Sequence, residues 1–260
     1  IREIAKFLAS HGTTSFVPTT ISAPHSNLLR AVNAVWTSME KGTDGAEVLG
    51  VHLEGPYISL EKRGAHDANH VRLPSISEFE EIWEASNHAV KIVTLAPELE
   101  GSKALLQRLQ ELGIVASIGH SNATYNQTVD AIKQGVQHAT HMFNRMRGFD
   151  PREPGLVGAV LVDDKLTAEL ICDEIHVHPA AMKLLTQVKG PEKVVLVTDA
   201  IMAAGMPDGE YALGEQHTIV KNGVSRLESG DFAGSTLTMD RAIRNVMRSG
   251  KLPSQTAVKM

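Results

Sequence analysis

An α/β fold of the (β/α)8 TIM-barrel type, incomplete over this chain, is what the sequence predicts, and three observations carry the prediction. Short β-branched or apolar runs alternate along the chain with segments of helical period, the rhythm of parallel strands joined by crossover helices. Neither G-x-G-x-x-G nor G-x-x-x-x-G-K-[ST] occurs, so the glycine-rich phosphate turn that would mark an open doubly wound sheet is missing. A carboxylate or imidazole stands at the C-terminal end of run after run, at Glu54, His120, His141, His176 and Asp199, which is where a barrel places its active site.

Taken in order, the runs that read as strands lie at residues 14–18, 48–53, 91–95, 114–118, 138–141, 167–171 and 194–198. Residues 27–41, 77–86, 101–112, 125–135 and 179–188 place apolar side chains at three-and-four spacing and read as helices. Ser77 followed by Glu80 has the S-x-x-E form of a capping box and predicts the start of the second helix. Within residues 207–234, Asn222-Gly223 between alternating residues predicts a β-hairpin excursion from the barrel. The chain ends at Met260 in what reads as another helix. No repeat or linker interrupts this pattern, so residues 1–260 read as one barrel domain.

Composition excludes several function classes. A net charge of -5 with no long basic run argues against nucleic-acid binding, which needs clustered cations to neutralise phosphates. No apolar run reaches the roughly 18 residues a bilayer-spanning helix needs, so no membrane partner is expected. The single cysteine, Cys172, cannot form an internal disulfide, which points to a reducing, cytoplasmic setting. An anionic ligand would have to meet a local cation in so acidic a chain.

Each strand-end group has an ordinary reading when taken alone. An acidic strand tip such as Glu54 is usually solvated, and the histidine of Ile118-Gly119-His120-Ser121-Asn122 is more often a hydrogen-bonded structural residue. In His138-Ala139-Thr140-His141, strand alternation puts the two imidazoles on opposite faces, and His141 lies nearer the strand end. Asp199 ends Val195-Leu196-Val197-Thr198 as Glu54 ends the second strand. Four such tips on different strands of one barrel converge at one mouth. A carboxylate and two neutral imidazoles form a divalent-cation ligand set that keeps a position open for water, and a free carboxylate such as Asp199 can accept that water's proton.

These residues, in their local contexts, resemble the N-acetylglucosamine-6-phosphate deacetylase family of the amidohydrolase superfamily. The resemblance spans nearly the whole chain, through His52-Leu53-Glu54-Gly55-Pro56, Lys62-Arg63-Gly64-Ala65-His66, Thr94-Leu95-Ala96-Pro97-Glu98, Gly119-His120-Ser121, Thr140-His141-Met142-Phe143-Asn144, Arg152-Glu153-Pro154-Gly155, Thr198-Asp199-Ala200 and Ala233-Gly234-Ser235-Thr236. It implies a (β/α)8 barrel with a divalent ion on Glu54, His120 and His141. Asp199 would be the general acid/base, His66 would polarise the acetyl carbonyl, Asn144 and Arg152 would contact a phosphate, and His176 would contact the sugar. The implied reaction removes acetate from N-acetylglucosamine 6-phosphate in amino-sugar catabolism. Zinc is the first expectation for the ion, and iron, cobalt and manganese accept the same donors. A small sugar phosphate as partner and a homodimer are implied too, with the family's first strand and accessory β-sandwich lying outside these 260 residues.

In Cys172-Asp173-Glu174-Ile175-His176 a glutamate occupies the position where the family has glycine. Two other readings stand beside the deacetylase. One is a different amidohydrolase, a deaminase or cyclic amidase, which uses the same metal and aspartate but has no need of Arg152. The other is a non-catalytic barrel that binds sugar phosphates. His11, His25, His70, His88, His178 and His217 carry no comparable argument and read as surface or packing residues.

Overall fold

A computed structural model describes residues 1–260 and shows seven parallel strands hydrogen-bonded in strict sequence order. They are β1 (Thr19–Thr20), β2 (Val51–Glu54), β3 (Val90–Leu95), β4 (Val115–Ile118), β5 (His138–Ala139), β6 (Thr167–Ile171) and β7 (Val194–Val197). A doubly wound sheet reverses its order at a switch point. This one never does, as a barrel requires. Each step is a parallel pairing, so the C-terminal ends of all seven strands open toward one side.

Helices connect successive strands: His25–Lys41, Ile76–Ala85, Ser102–Glu111, Tyr125–Lys133, Gly155–Val162 and Pro179–Lys189, with Arg2–Ser10 before β1 and Met239–Gly250 after β7. Their apolar faces and the outer faces of the strands form one core of 41 buried residues, among them Leu28, Phe79, Leu105, Leu109, Leu185 and Val246. That core makes the strand ends rigid. The barrel interior carries a chain of polar contacts instead: His52 Nε2 lies 2.7 Å from Thr94 Oγ1, which is 2.6 Å from Thr140 Oγ1, itself 2.6 Å from Ser117 Oγ.

Five expectations are corrected by the structure. The run at 14–18 is not the barrel strand: Ser15–Phe16 pairs with Glu47–Val48 in a separate two-stranded ribbon, and β1 begins only after Pro18. Proline has no N–H for a ladder, and its carbonyl accepts from His52 N at 3.0 Å as the chain steps across. The same step divides the run at 48–53 into Glu47–Val48 and β2. The helix expected from Ser77 starts at Ile76, because Ser75 is the residue with extended backbone and its side chain accepts from Glu78 N. The excursion is a three-stranded antiparallel sheet rather than one hairpin: β8 (Gly209–Leu213), β9 (Gln216–Lys221) and β10 (Val224–Leu227). Asn222 and Gly223, at φ 52° and 72°, make its second turn. Met260 lies beyond the last short helix, Ser254–Ala257, and its carbonyl accepts from Leu196 N at 2.9 Å along β7.

Helix Gly155–Val162 escapes sequence reading because it is apolar on every side, with six consecutive residues from Gly155 to Val160 buried. A helix buried all round has no period to detect.

Candidate active site

Glu54 ends β2 and is buried, although it is a carboxylate on an apolar strand. Its Oε1 lies 2.9 Å from His120 Nε2 and 3.1 Å from His141 Nε2, and the two imidazole nitrogens are 3.0 Å apart. The three side chains come from the ends of β2, β4 and β5, so three rigid strands aim one atom each at a common point. Both histidines sit in left-handed backbone, His120 at φ 46° and His141 at φ 33°. Such conformations are rare for residues with a Cβ and persist where surrounding structure enforces them.

Hydrogen bonding decides what this cluster can hold. His120 Nδ1 donates to the backbone oxygen of Lys62 at 2.8 Å, which fixes the proton on Nδ1 and leaves a lone pair on Nε2. That lone pair faces the carboxylate oxygen of Glu54 and the ring nitrogen of His141. Atoms gathered in this way need a cation among them, a proton or a metal ion, and the donor set fits a divalent ion. His141 Nδ1 is buried with no protein partner. Burial, then the neighbouring His66, pushes His120 down to about 4, which keeps that ring neutral. Burial works the same way on His141, but the hydrogen bond and charge of Glu54 outweigh it and raise that ring to about 9, a proton that a bound cation would displace. Burial acts against ionised Glu54 as well, yet its contacts with the imidazoles of His120 and His141 hold it well below the usual carboxylate range.

His66 stands beside this cluster, with Nε2 3.7 Å from Glu54 Oε1. Its Nδ1 accepts the backbone N–H of Ser22 at 3.1 Å, so the ring proton is on Nε2 and faces the cluster as a donor. Gly55 makes this approach possible: at φ 69°, a Cβ there would stand 2.3 Å from Ser22 Oγ and 3.3 Å from His66 Nδ1. Asp199 follows β7 and lines the same cavity of about 690 Å³. Its carboxylate makes no protein hydrogen bond, and burial together with the charge of Glu54 pushes it up to about 7. Its backbone is clamped by the returning excursion, where Ser235 N donates to Asp199 O at 2.8 Å. Gly234 is required there, since a Cβ would fall 2.5 Å from Ile201 Cγ2 and 3.0 Å from that same carbonyl.

His176 also lines the cavity, and the glutamate before it leaves the turn intact. Asp173 Oδ1 accepts from Ile175 N and His176 N, while its Oδ2 lies 2.6 Å from His176 Nδ1. Glu174 takes the left-handed φ of 64° that favours glycine, with its carboxylate bonded to Arg248 and Ser249. Asn144 lines the cavity, but its Nδ2 is directed to the carbonyls of His141 and Met142, at 3.3 Å each, and braces the loop after β5. Arg152 is not brought to the cavity of its own chain: its side chain is 88% exposed and its nearest charge is Asp150, at 3.6 Å.

Other residues here escape sequence reading. Glu169, in the middle of β6, accepts the backbone N–H of His141 at 3.0 Å and bonds His138 at 3.1 Å, so it braces a cluster residue from below. A carboxylate inside the apolar run Thr167-Ala168-Glu169-Leu170-Ile171 was the available signal. His70 lines the cavity wall and bonds Glu215 of the excursion at 3.2 Å. Arg145 lines it too; nothing in its local sequence marks it.

Comparison with known proteins agrees with this geometry. The profile of the Amidohydrolase family matches residues 1–257. An N-acetylglucosamine-6-phosphate deacetylase of Lysinibacillus sphaericus is 41% identical over 250 residues, 96% of this chain and 64% of that protein. An N-acetylgalactosamine-6-phosphate deacetylase of Escherichia coli O157:H7 is 41% identical over 254 residues, 97% of this chain and 67% of that protein. A mutant N-acetyl-D-glucosamine-6-phosphate deacetylase of Mycobacterium smegmatis, solved in complex with N-acetyl-D-glucosamine-6-phosphate, superposes with a TM-score of 0.91 at 38% identity, over 97% of this chain and 66% of that one. The chain thus spans 64 to 67% of the length of these relatives. With the profile matching residues 1–257 and the strand-end cluster in place, the chain belongs to the amidohydrolase family.

Proposed function

We propose that this chain is the barrel of a metal-dependent deacetylase that hydrolyses the acetamido group of N-acetylglucosamine 6-phosphate to glucosamine 6-phosphate and acetate. The observation that carries the reading is the convergence of Glu54, His120 and His141, within 3.1 Å of one another, beside the hydrogen-bond-free carboxylate of Asp199. The substrate comes from the relatives, whose names specify 2-acetamido hexose 6-phosphates.

Glu54, His120 and His141 hold a divalent ion, zinc before iron, cobalt or manganese. When bound, that ion lowers the pKa of water and polarises the amide carbonyl. The protein supplies the rest. His66 directs its Nε2–H at the carbonyl oxygen, where negative charge develops as water adds. Asp199 takes the proton from the attacking water and returns it to the amide nitrogen, which leaves poorly unless protonated. A carboxylate near neutrality with no fixed hydrogen bond suits both transfers. His176, held by Asp173, orients the sugar. Arg152 points away from its own cavity and serves the phosphate in a second copy of the chain, so the active species is a homodimer.

The test is the product. Metal-loaded protein with N-acetylglucosamine 6-phosphate is expected to release acetate and glucosamine 6-phosphate in equal amounts. Release of ammonia instead would indicate deaminase chemistry, and binding without turnover would indicate a sugar-phosphate receptor.

A further inference from the structure

We propose that Arg145 is the cation with which this chain grips the phosphate of its substrate inside its own cavity. The proposal rests on the deacetylase reading and assigns a residue to it. Among the residues lining the cavity Arg145 is the only lysine or arginine, against the four carboxylates of Glu54, Asp67, Asp199 and Glu215. A phosphate dianion entering such a space needs a fixed positive charge, and Arg152 provides none there from the same chain.

The structure builds a place for this guanidinium. Gly64, at φ 60°, lies directly beneath it: a Cβ on that residue would come 2.9 Å from Arg145 Nε and 3.1 Å from its Cγ. Arg145 itself takes a left-handed φ of 51°, which turns it back over Gly64. Its one protein hydrogen bond runs from Nη2 to Asp231 Oδ1 at 2.7 Å, which orients the planar fork and leaves Nε and Nη1 for a ligand. The side chain is 35% exposed, so a ligand can reach it.

The position also suits the substrate. Arg145 follows His141 by four residues, and four residues span at most about 14 Å even when extended. The acetamido group and the 6-phosphate lie on opposite sides of a hexose ring. An amide placed at the Glu54–His120–His141 cluster therefore directs the phosphate toward the part of the wall that this short loop forms. The bond to Asp231 keeps the guanidinium aimed when no substrate is present.

The test compares acetate release from N-acetylglucosamine 6-phosphate and from unphosphorylated N-acetylglucosamine, using the metal-loaded full chain and its Arg145→Met, Arg145→Lys and Arg152→Met variants. Arg145→Met is expected to lower kcat/KM on the phosphorylated sugar roughly 10- to 100-fold, mainly through KM, and to leave the unphosphorylated sugar within about 2-fold. Arg145→Lys should recover part of the loss, because it keeps the charge but not the fork. Activity on the unphosphorylated sugar reports whether each variant is folded. Equal losses on both sugars, or an undiminished preference for the phosphorylated one in Arg145→Met, would overturn the proposal; if Arg152→Met abolished the preference while Arg145→Met kept it, the phosphate would belong to Arg152 of a second copy alone. A parent that did not distinguish the sugars would sink the substrate reading instead. In that event, inhibition by inorganic phosphate decides for Arg145 if Arg145→Met weakens it at least about 10-fold, and against it if inhibition is unchanged.

Discussion

Glu174 shows how a local departure from a family's pattern can be absorbed. Its φ of 64° costs a residue with a Cβ roughly 1 kcal/mol, and its exposed pairing with Arg248 returns less than that. Glu174→Gly is therefore expected to leave thermal stability unchanged or raise it by up to about 1 kcal/mol, with His176 still held by Asp173. A loss above about 1 kcal/mol in a thermal melt would mean that the Arg248 and Ser249 bonds carry more than exposed pairs do. The same scale separates what could be read from the sequence. Glu54, His120, His141 and Asp199 were legible because a lone polar group ending an apolar run stands out. Ser22, Glu169 and Arg145 were not, since each takes its meaning from a partner far along the chain or across a loop: His66, His141 and the cavity itself. Arg152 lies outside the cavity of its own chain; a motif names a residue without saying where the loop that carries it projects.

Between β2 and helix Ile76–Ala85 runs the segment that carries His66, and it is pinned at its end. Arg72 Nε bonds both oxygens of Glu78, at 2.9 and 3.0 Å, while its Nη1 donates to the carbonyls of His70 and Ala23, and Tyr57 Oη donates to Glu78 at 3.0 Å. Burial alone would raise the Glu78 carboxyl, but Arg72 holds it below its ordinary value of 4.5. A depressed carboxylate stabilises the fold above that value and loses its contribution as pH falls through the folded one. The melting-temperature gap between the parent and Glu78→Gln should accordingly narrow as pH falls below the ordinary carboxylate value. A constant gap would mean that shape, not charge, holds the segment. Ser75→Ala removes the cap of the same helix and is expected to cost about 1 kcal/mol, or about 2–4 °C in a melt. No change would return the cap to Ser77. Helices with a clear stripe were legible to within a few residues. Gly155–Val162 was not, because nothing polar marks an outward face.

At the scale of the molecule, the sequence-ordered parallel sheet explains why residues as distant as Glu54 and Asp199 share one cavity: each strand delivers its last side chain to the same side. The rhythm of runs made that architecture legible. The exact strand edges were not, because Pro18 and the pairing of Thr19 with His52 set them through contacts between distant segments. The cluster of facing acceptors predicts that the ion contributes to stability. With free ion about 100-fold above its Kd, binding adds about 2.7 kcal/mol, so chelation should lower the melting temperature by roughly 5–10 °C and reloading should restore it. An unchanged melt at zero bound metal would remove the ion from Glu54, His120 and His141.

The central claim is that strand-end residues divide the work, with three holding the ion and Asp199 moving the proton. Acetate release by Asp199→Asn, measured at a metal content equal to the parent's, tests it most directly, because the amide keeps the carboxylate's size but cannot accept the proton. The predicted result is full metal and a turnover reduced about 100- to 10,000-fold. Turnover within a few-fold of the parent, with the metal still in place, would contradict the account.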